Sequence, residues 1–118
     1  MYKVLYVGEN EVFVNKLRDV LRSEPVNVYS AANTAEAISA IKESMPCCIV
    51  LNLCMGINEA LKVCRSGLAQ ETSIVILKPI GVEDTVAQGN FPKAFMLCSP
   101  ATVEQLADLI RKKMEERA

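Results

Sequence analysis

The run Cys47-Cys48-Ile49-Val50-Leu51-Asn52-Leu53-Cys54-Met55 decides the fold. Pro46 opens it and Gly56 closes it. It is short, carries β-branched residues, and is apolar throughout except at Asn52, so it reads as a strand covered on both faces. Such strands lie centrally in parallel sheets, where ligands gather at the strands' carboxyl ends. Asn52 stands near that end, and the one polar residue of the run therefore marks the place to look for a site.

Outward from this strand, apolar runs and helical patterns alternate. Lys3-Val4-Leu5-Tyr6-Val7 reads as a first strand and Gly8-Glu9 as the loop after it. Asn10 can cap a helix from Glu11, with Phe13, Leu17, Val20 and Leu21 on one face at spacings of three and four. Val26-Asn27-Val28-Tyr29-Ser30 alternates apolar and polar, as a half-covered or edge strand does. Asn33 and Glu36 form a capping-box pattern for a second helix, whose inner stripe is Ala37, Ile38 and Ile41.

Beyond the central strand, 56–58 reads as a loop and 59–65 as a helix with Leu61 and Cys64 inward and Gly67 past its end. Ser73-Ile74-Val75-Ile76-Leu77 and Ala94-Phe95-Met96-Leu97-Cys98 are two more strands. The segment 81–89 has only a weak helical face, at Val82, Val86 and Ala87. Thr102 and Gln105 form a second capping box, ahead of a stripe of Val103, Leu106, Leu109, Ile110 and Met114. The tail from Arg111 to Arg117 carries both signs of charge and reads as a solvated helix end. Strand and helix alternate five times. The expectation is an α/β fold, a doubly wound five-stranded parallel sheet with helices on both faces.

Composition narrows the function classes. A chain of 118 residues suits a single domain, here taken as 1–118. Hydrophobic residues make up 51% and aromatic ones 5%, with no Trp, so the core must be aliphatic. A net charge of −1 gives no electrostatic reason to bind nucleic acid. No apolar run approaches the roughly 20 residues of a membrane helix, and the N-terminus lacks a signal-peptide pattern. The expected location is the cytoplasm. There is no His, which removes the commonest general base and metal ligand. Five Cys occur with no CxxC pair, so they read as reduced thiols acting as small core hydrophobes.

The whole pattern resembles the receiver domain of two-component response regulators. Leu5-Tyr6-Val7 with its polar loop matches the family's first strand. Ala32-Asn33-Thr34-Ala35-Glu36-Ala37 is similar to the family's entry to its second helix. Ile49-Val50-Leu51-Asn52-Leu53-Cys54-Met55 matches the strand that carries the phosphorylated Asp, and Ser99-Pro100-Ala101-Thr102 matches the turn before the last helix. The resemblance implies the flavodoxin-like strand order 2-1-3-4-5.

The positions that carry the family's chemistry depart from its pattern. By this resemblance the phosphoacceptor position is Asn52. The paired acids that help hold Mg²⁺ fall on Gly8 and Glu9. The Ser/Thr ending the fourth strand is Lys78, the aromatic switch position is Met96, and the Lys before the fixed Pro is Ser99. Aspartyl phosphorylation needs an ionised carboxylate as nucleophile, and Asn52 offers a neutral amide. Mg²⁺ wants several hard oxygens, and Glu9 alone supplies a carboxylate among these positions.

The reading is a receiver-like protein-interaction module that is not phosphorylated, is not an enzyme and needs no cofactor. Two alternatives stand beside it: a working phosphoacceptor at an atypical site, and a thiol sensor through Cys54 and Cys98. Lys78 either lays its ammonium beside Glu9 and Asn52 or points to solvent. Receivers bind targets or pair with each other through their fourth helix, fifth strand and fifth helix. The resemblance places these surfaces at 82–87, Met96 and 106–113, for a protein partner, an output domain or a second copy.

Overall fold

The computed structural model describes residues 2–68, 72–78, 89–91, 95–98 and 102–117, with the backbone alone at 67, 68, 95–98 and 117. In chain order these residues form β1 (Tyr2–Val7), α1 (Glu11–Val20), β2 (Val26–Ala31), α2 (Thr34–Ser44) and β3 (Cys48–Asn52). A single 3₁₀ turn (Leu53–Met55) follows, then α3 (Ile57–Leu68), β4 (Ser73–Lys78), β5 (Phe95–Cys98) and α4 (Val103–Arg117). The strands form one sheet in the order β2-β1-β3-β4-β5, and every pairing is parallel. The segment 81–88, the docking residues placed there, and Ser99 lie outside the described residues.

The continuous apolar run of β3 has its physical reason in two core layers. Successive side chains of a strand point to opposite faces. On one face Leu5, Val7, Ile49, Leu51 and Ile76 pack with Ala37 and Ile41 of α2 and with Ala60 and Val63 of α3. On the other, Val4, Tyr6, Cys48, Val50 and Val75 pack with Val14 and Leu17 of α1 and with Leu106 and Ile110 of α4. Each such large side chain contributes roughly 1.5–3 kcal/mol by leaving water. Cys48 and Cys64 belong to these layers as small hydrophobes.

At the edge, β2 keeps its alternation, and only Ala31 is fully buried. Arg18 Nε donates to the Val28 carbonyl at 3.0 Å, which caps one of the polar groups an edge strand presents.

The capping residues act as their chemistry dictates. Asn10 Oδ1 accepts from Phe13 N at 3.1 Å, and Asn33 Oδ1 accepts from Glu36 N at 2.9 Å. Glu36 Oε2 reaches one residue further back than a standard box and accepts from Ala32 N at 2.7 Å. At α4 the box is reciprocal: Thr102 Oγ1 accepts from Gln105 N, and Gln105 Oε1 accepts from Thr102 N.

Two expectations need correction. Helix α3 begins at Ile57 and runs through Gly67, where the spacing placed it at 59–65. Gly56, at φ 98°, absorbs the turn, and its carbonyl accepts from Ala60 N at 3.0 Å, so the helix starts without a side-chain cap. The second correction concerns stripes. In α3 the residues fully buried alongside Cys64 are Ala60 and Val63, with Leu61 only half-covered. In α1, Val14 is buried where Phe13 and Val20 are half-covered. Leu17 and Leu21 of the expected α1 stripe are fully buried, and Ile38 of the expected α2 stripe is half-covered, so the stripes are rotated slightly rather than misplaced.

Candidate functional site at the carboxyl ends of β1 and β3

Asn52 is the last residue of β3 and pairs in register with Leu77 of β4. The β1–β3 pairing ends one step earlier, at Val7↔Leu51. Asn52 therefore stands just past the end of β1 and faces the start of the β1–α1 loop. Strand order reverses here, since β2 lies to one side of β1 and β3 to the other, and open α/β sheets bind ligands at such a point.

The Asn52 side chain is half-buried and engaged at both ends. Its Oδ1 accepts from Cys54 N at 3.0 Å, which sets the 3₁₀ turn. Because Cys54 N can only donate, it identifies that end of the amide as the oxygen. At the other end Nδ2 donates to Tyr6 Oη at 3.3 Å.

Tyr6 lies in β1 and is fully buried, with its ring centroid 5.7 Å from that of Phe13. Burial pushes the Tyr6 phenol above its ordinary value, and the Asn52 hydrogen bond works against that rise.

Gly8 completes the arrangement. Its N–H donates to the Ala31 carbonyl at 2.9 Å, and its φ is +157°. A Cβ at this position would lie 3.1 Å from both Asn52 Cβ and Tyr6 Cε1, and 3.5 Å from Tyr6 Oη. The residue next in sequence, Glu9, is exposed. A cleft of about 580 Å³ opens onto this centre, lined by Gly8, Asn52, Glu9, Cys54, Met55 and Glu59, among others. Thr34 Oγ1 donates to Glu59 Oε2 at 3.1 Å and ties α2 to α3 along the cleft.

Of the other positions singled out in the sequence, Lys78 ends β4, is half-buried, and pairs in register with Cys98. Met96 pairs with Ile76, and for Met96 and Cys98 the backbone alone is described. Cys54 is exposed at the cleft. The structure thus brings Gly8 and Asn52 together. It adds Tyr6, which in the sequence is only one residue of a strand. The available signal was a phenol in an otherwise aliphatic run, because a buried Tyr hydroxyl usually finds a polar partner.

A Mg²⁺ ion, which the receiver resemblance implies, does not suit these donors. It needs a near-octahedral set of hard oxygens. Asn52 offers only a neutral amide oxygen that already accepts from Cys54 N, Gly8 has no side chain, and Glu9 supplies the single carboxylate of the three positions. Among the described residues no group of three or more Cys, Asp or Glu could hold a metal ion.

With this geometry in hand, comparison with known proteins gives a consistent fold. No family model and no curated protein matches the chain. Solved structures do. The chain is similar to the receiver domain of the Francisella response regulator 1452, at 18% identity and TM-score 0.80, covering 100% of both chains. It is similar to the receiver domain of NtrC4 from Aquifex aeolicus, at 25% identity and TM-score 0.76, again over 100% of both. It is also similar to a response regulator receiver modulated diguanylate cyclase from Pelobacter carbinolicus. There the identity is 20% and the TM-score 0.76, over 99% of this chain and 95% of that one. The α/β architecture with its parallel sheet is therefore the one seen in response regulator receiver domains. No helix among the described residues is long and apolar enough to cross a membrane.

Proposed function

We propose that the chain is a receiver-like domain of a two-component signalling protein that works as a protein-interaction module without being phosphorylated. The observation that carries this reading is Asn52. It occupies the place where receivers carry the phosphoaccepting carboxylate, and both ends of its amide are taken by protein, Cys54 N and Tyr6 Oη. A neutral amide held in this way is neither a nucleophile nor an anionic ligand. Under this reading the domain is not an enzyme, needs no cofactor, acts in the cytoplasm and does not contact nucleic acid or membrane. Its partner is a protein or an output domain, met through the segment 82–87, the last strand and α4, or by pairing with a second copy. The Pelobacter neighbour's description as receiver-modulated supports an output domain.

The test is an intact mass after incubation with Mg²⁺ and acetyl phosphate. The expected result is an unmodified mass. A stoichiometric phosphate adduct would establish the alternative of a working acceptor at an atypical site. The exposed thiol of Cys54 favours a second reading, a thiol sensor through Cys54 and Cys98, which thiol titration followed by mass spectrometry tests.

A further inference from the structure

We infer that Tyr6 and Asn52 bar any side chain from position 8, so that the floor of the cleft at the carboxyl ends of β1 and β3 cannot regain the first of the two acid positions. The site then stays short of metal ligands, and so of phosphoryl transfer, even when Asn52 is replaced by the acid. This rests on the proposed reading of the site and goes further. The missing carboxylate at position 52 is one obstacle, and the barred side chain at position 8 is a second, built from different residues.

The argument is steric first. The Tyr6 ring edge and the Asn52 Cβ occupy the volume into which any side chain at position 8 would project, each 3.1 Å from where a Cβ would sit. Real Cβ atoms rarely tolerate such contacts. The ring cannot swing aside at little cost, because Tyr6 is fully buried and packed against Phe13 and the α1–α4 layer. A donor at position 8 and the phenol at position 6 thus exclude each other.

The second part concerns hydrogen bonding. Aspartate is nearly isosteric with asparagine, and the network around Asn52 accepts either. One carboxylate oxygen would keep the Cys54 N–H. The other would meet Tyr6 Oη, whose hydroxyl can donate as well as accept. Each oxygen of a carboxylate introduced at position 52 would thus hold one protein hydrogen bond, and the phenol would compete with an incoming cation for one of them. Tyr6 is a positioning residue here, acting through position 52.

Two arms test this. In the first, the variant Asn52→Asp is titrated with Mg²⁺ alone and then treated with Mg²⁺ and acetyl phosphate. Amide shifts at Gly8 and position 52 should stay unmoved at millimolar Mg²⁺, and the mass should show no adduct. Saturable shifts, a stoichiometric adduct, or failure of this isosteric variant to fold would each overturn the proposal. Uptake by Asn52→Asp leaves the unphosphorylated state of the native chain untouched, so the two claims fail separately. In the second arm, Gly8→Ala is made in the native background and with Tyr6→Leu, and urea midpoints are compared as a double-mutant cycle. The backbone strain of Ala at φ +157° and its contact with Asn52 Cβ are common to both backgrounds and cancel. The Tyr6 contact does not, so Gly8→Ala should lower the midpoint clearly more beside Tyr6 than beside Leu. Equal drops in the two backgrounds would show that Tyr6 does not close position 8. Should either cycle variant fail to fold, the first arm still decides.

Discussion

Arg111 of α4 forms an ion pair with Glu24, 87 positions earlier in the turn leading into β2. The same guanidinium donates to the Val20 carbonyl at the end of α1 at 3.4 Å and to Asp108 Oδ1 at 2.9 Å. The charged tail that reads as a solvated helix end is therefore anchored at its first residue, because a planar fork of five donors can serve three acceptors at once. Arg111→Ala should lower the thermal midpoint by a few degrees, and Arg111→Lys should recover only part of that, since an ammonium cannot fork. Indistinguishable midpoints for the native and Ala proteins would mean that the staple does not contribute to stability.

The N-terminal caps offer a cleaner magnitude. Thr102 and Gln105 satisfy each other's backbone N–H at the start of α4, and Asn33 does so for Glu36 at α2. Loss of such a cap costs about 0.5–2 kcal/mol. Thr102→Ala and Asn33→Ala should each lower the urea-extrapolated stability within that range. The two sites share no hydrogen-bond partner, so the double variant should show the sum. A value near zero for Thr102→Ala would contradict the reciprocal bonds.

Cys48 sets an alkaline limit. Burial pushes its thiol from the ordinary 9.0 up to about 12, against the opposing influence of Lys113. Above pH 9 the unfolded chain gives up this proton while the folded chain keeps it. The unfolded state then binds fewer protons, and stability falls as pH rises. The contribution is complete below pH 9 and is lost toward pH 12, with a slope of up to about 1.4 kcal/mol per pH unit. The Tyr6 phenol, also raised by burial, acts in the same direction above its ordinary 10.0. Chemical denaturation of Cys48→Ala across this range should give a flatter decline than the native protein. Parallel declines would assign the alkaline limit elsewhere.

Thiol exposure separates Cys54 from the core cysteines. Cys54 is exposed at the mouth of the cleft, whereas Cys48 and Cys64 are buried and burial raises both thiols. Iodoacetamide at neutral pH, followed by peptide mapping, should label Cys54 first and reach Cys48 and Cys64 only after unfolding. Labelling of Cys48 in the native state at the rate of Cys54 would refute the two-layer packing around β3.

Much of this fold was legible because its signals are local. The uninterrupted run from Cys48 to Leu51 required burial on both faces, and the alternation of Val26 to Ser30 required an edge. Asn10, Asn33 and Thr102 act within one helical turn, so their spacing alone exposes them. The start of α3 was not legible, because the residue before it is Gly56, which has no side chain to act as a capping signal. At the site, Asn52 stood out as the polar exception in an apolar strand. Tyr6 did not, because its significance depends on a partner 46 residues away and on the space left by Gly8. No spacing rule encodes that three-body fit.

The most direct measurement for the central claim is an amide proton–nitrogen correlation spectrum of the native protein. It would be recorded before and after addition of Mg²⁺ together with beryllofluoride, a mimic of a phosphoryl group. If Asn52 has lost the acceptor chemistry, the Gly8, Asn52 and Cys54 signals stay where they are at millimolar concentrations of both. Saturable shifts at those three amides would show a site that still takes a phosphoryl group and its metal, and the phosphorylation-independent reading would have to be abandoned.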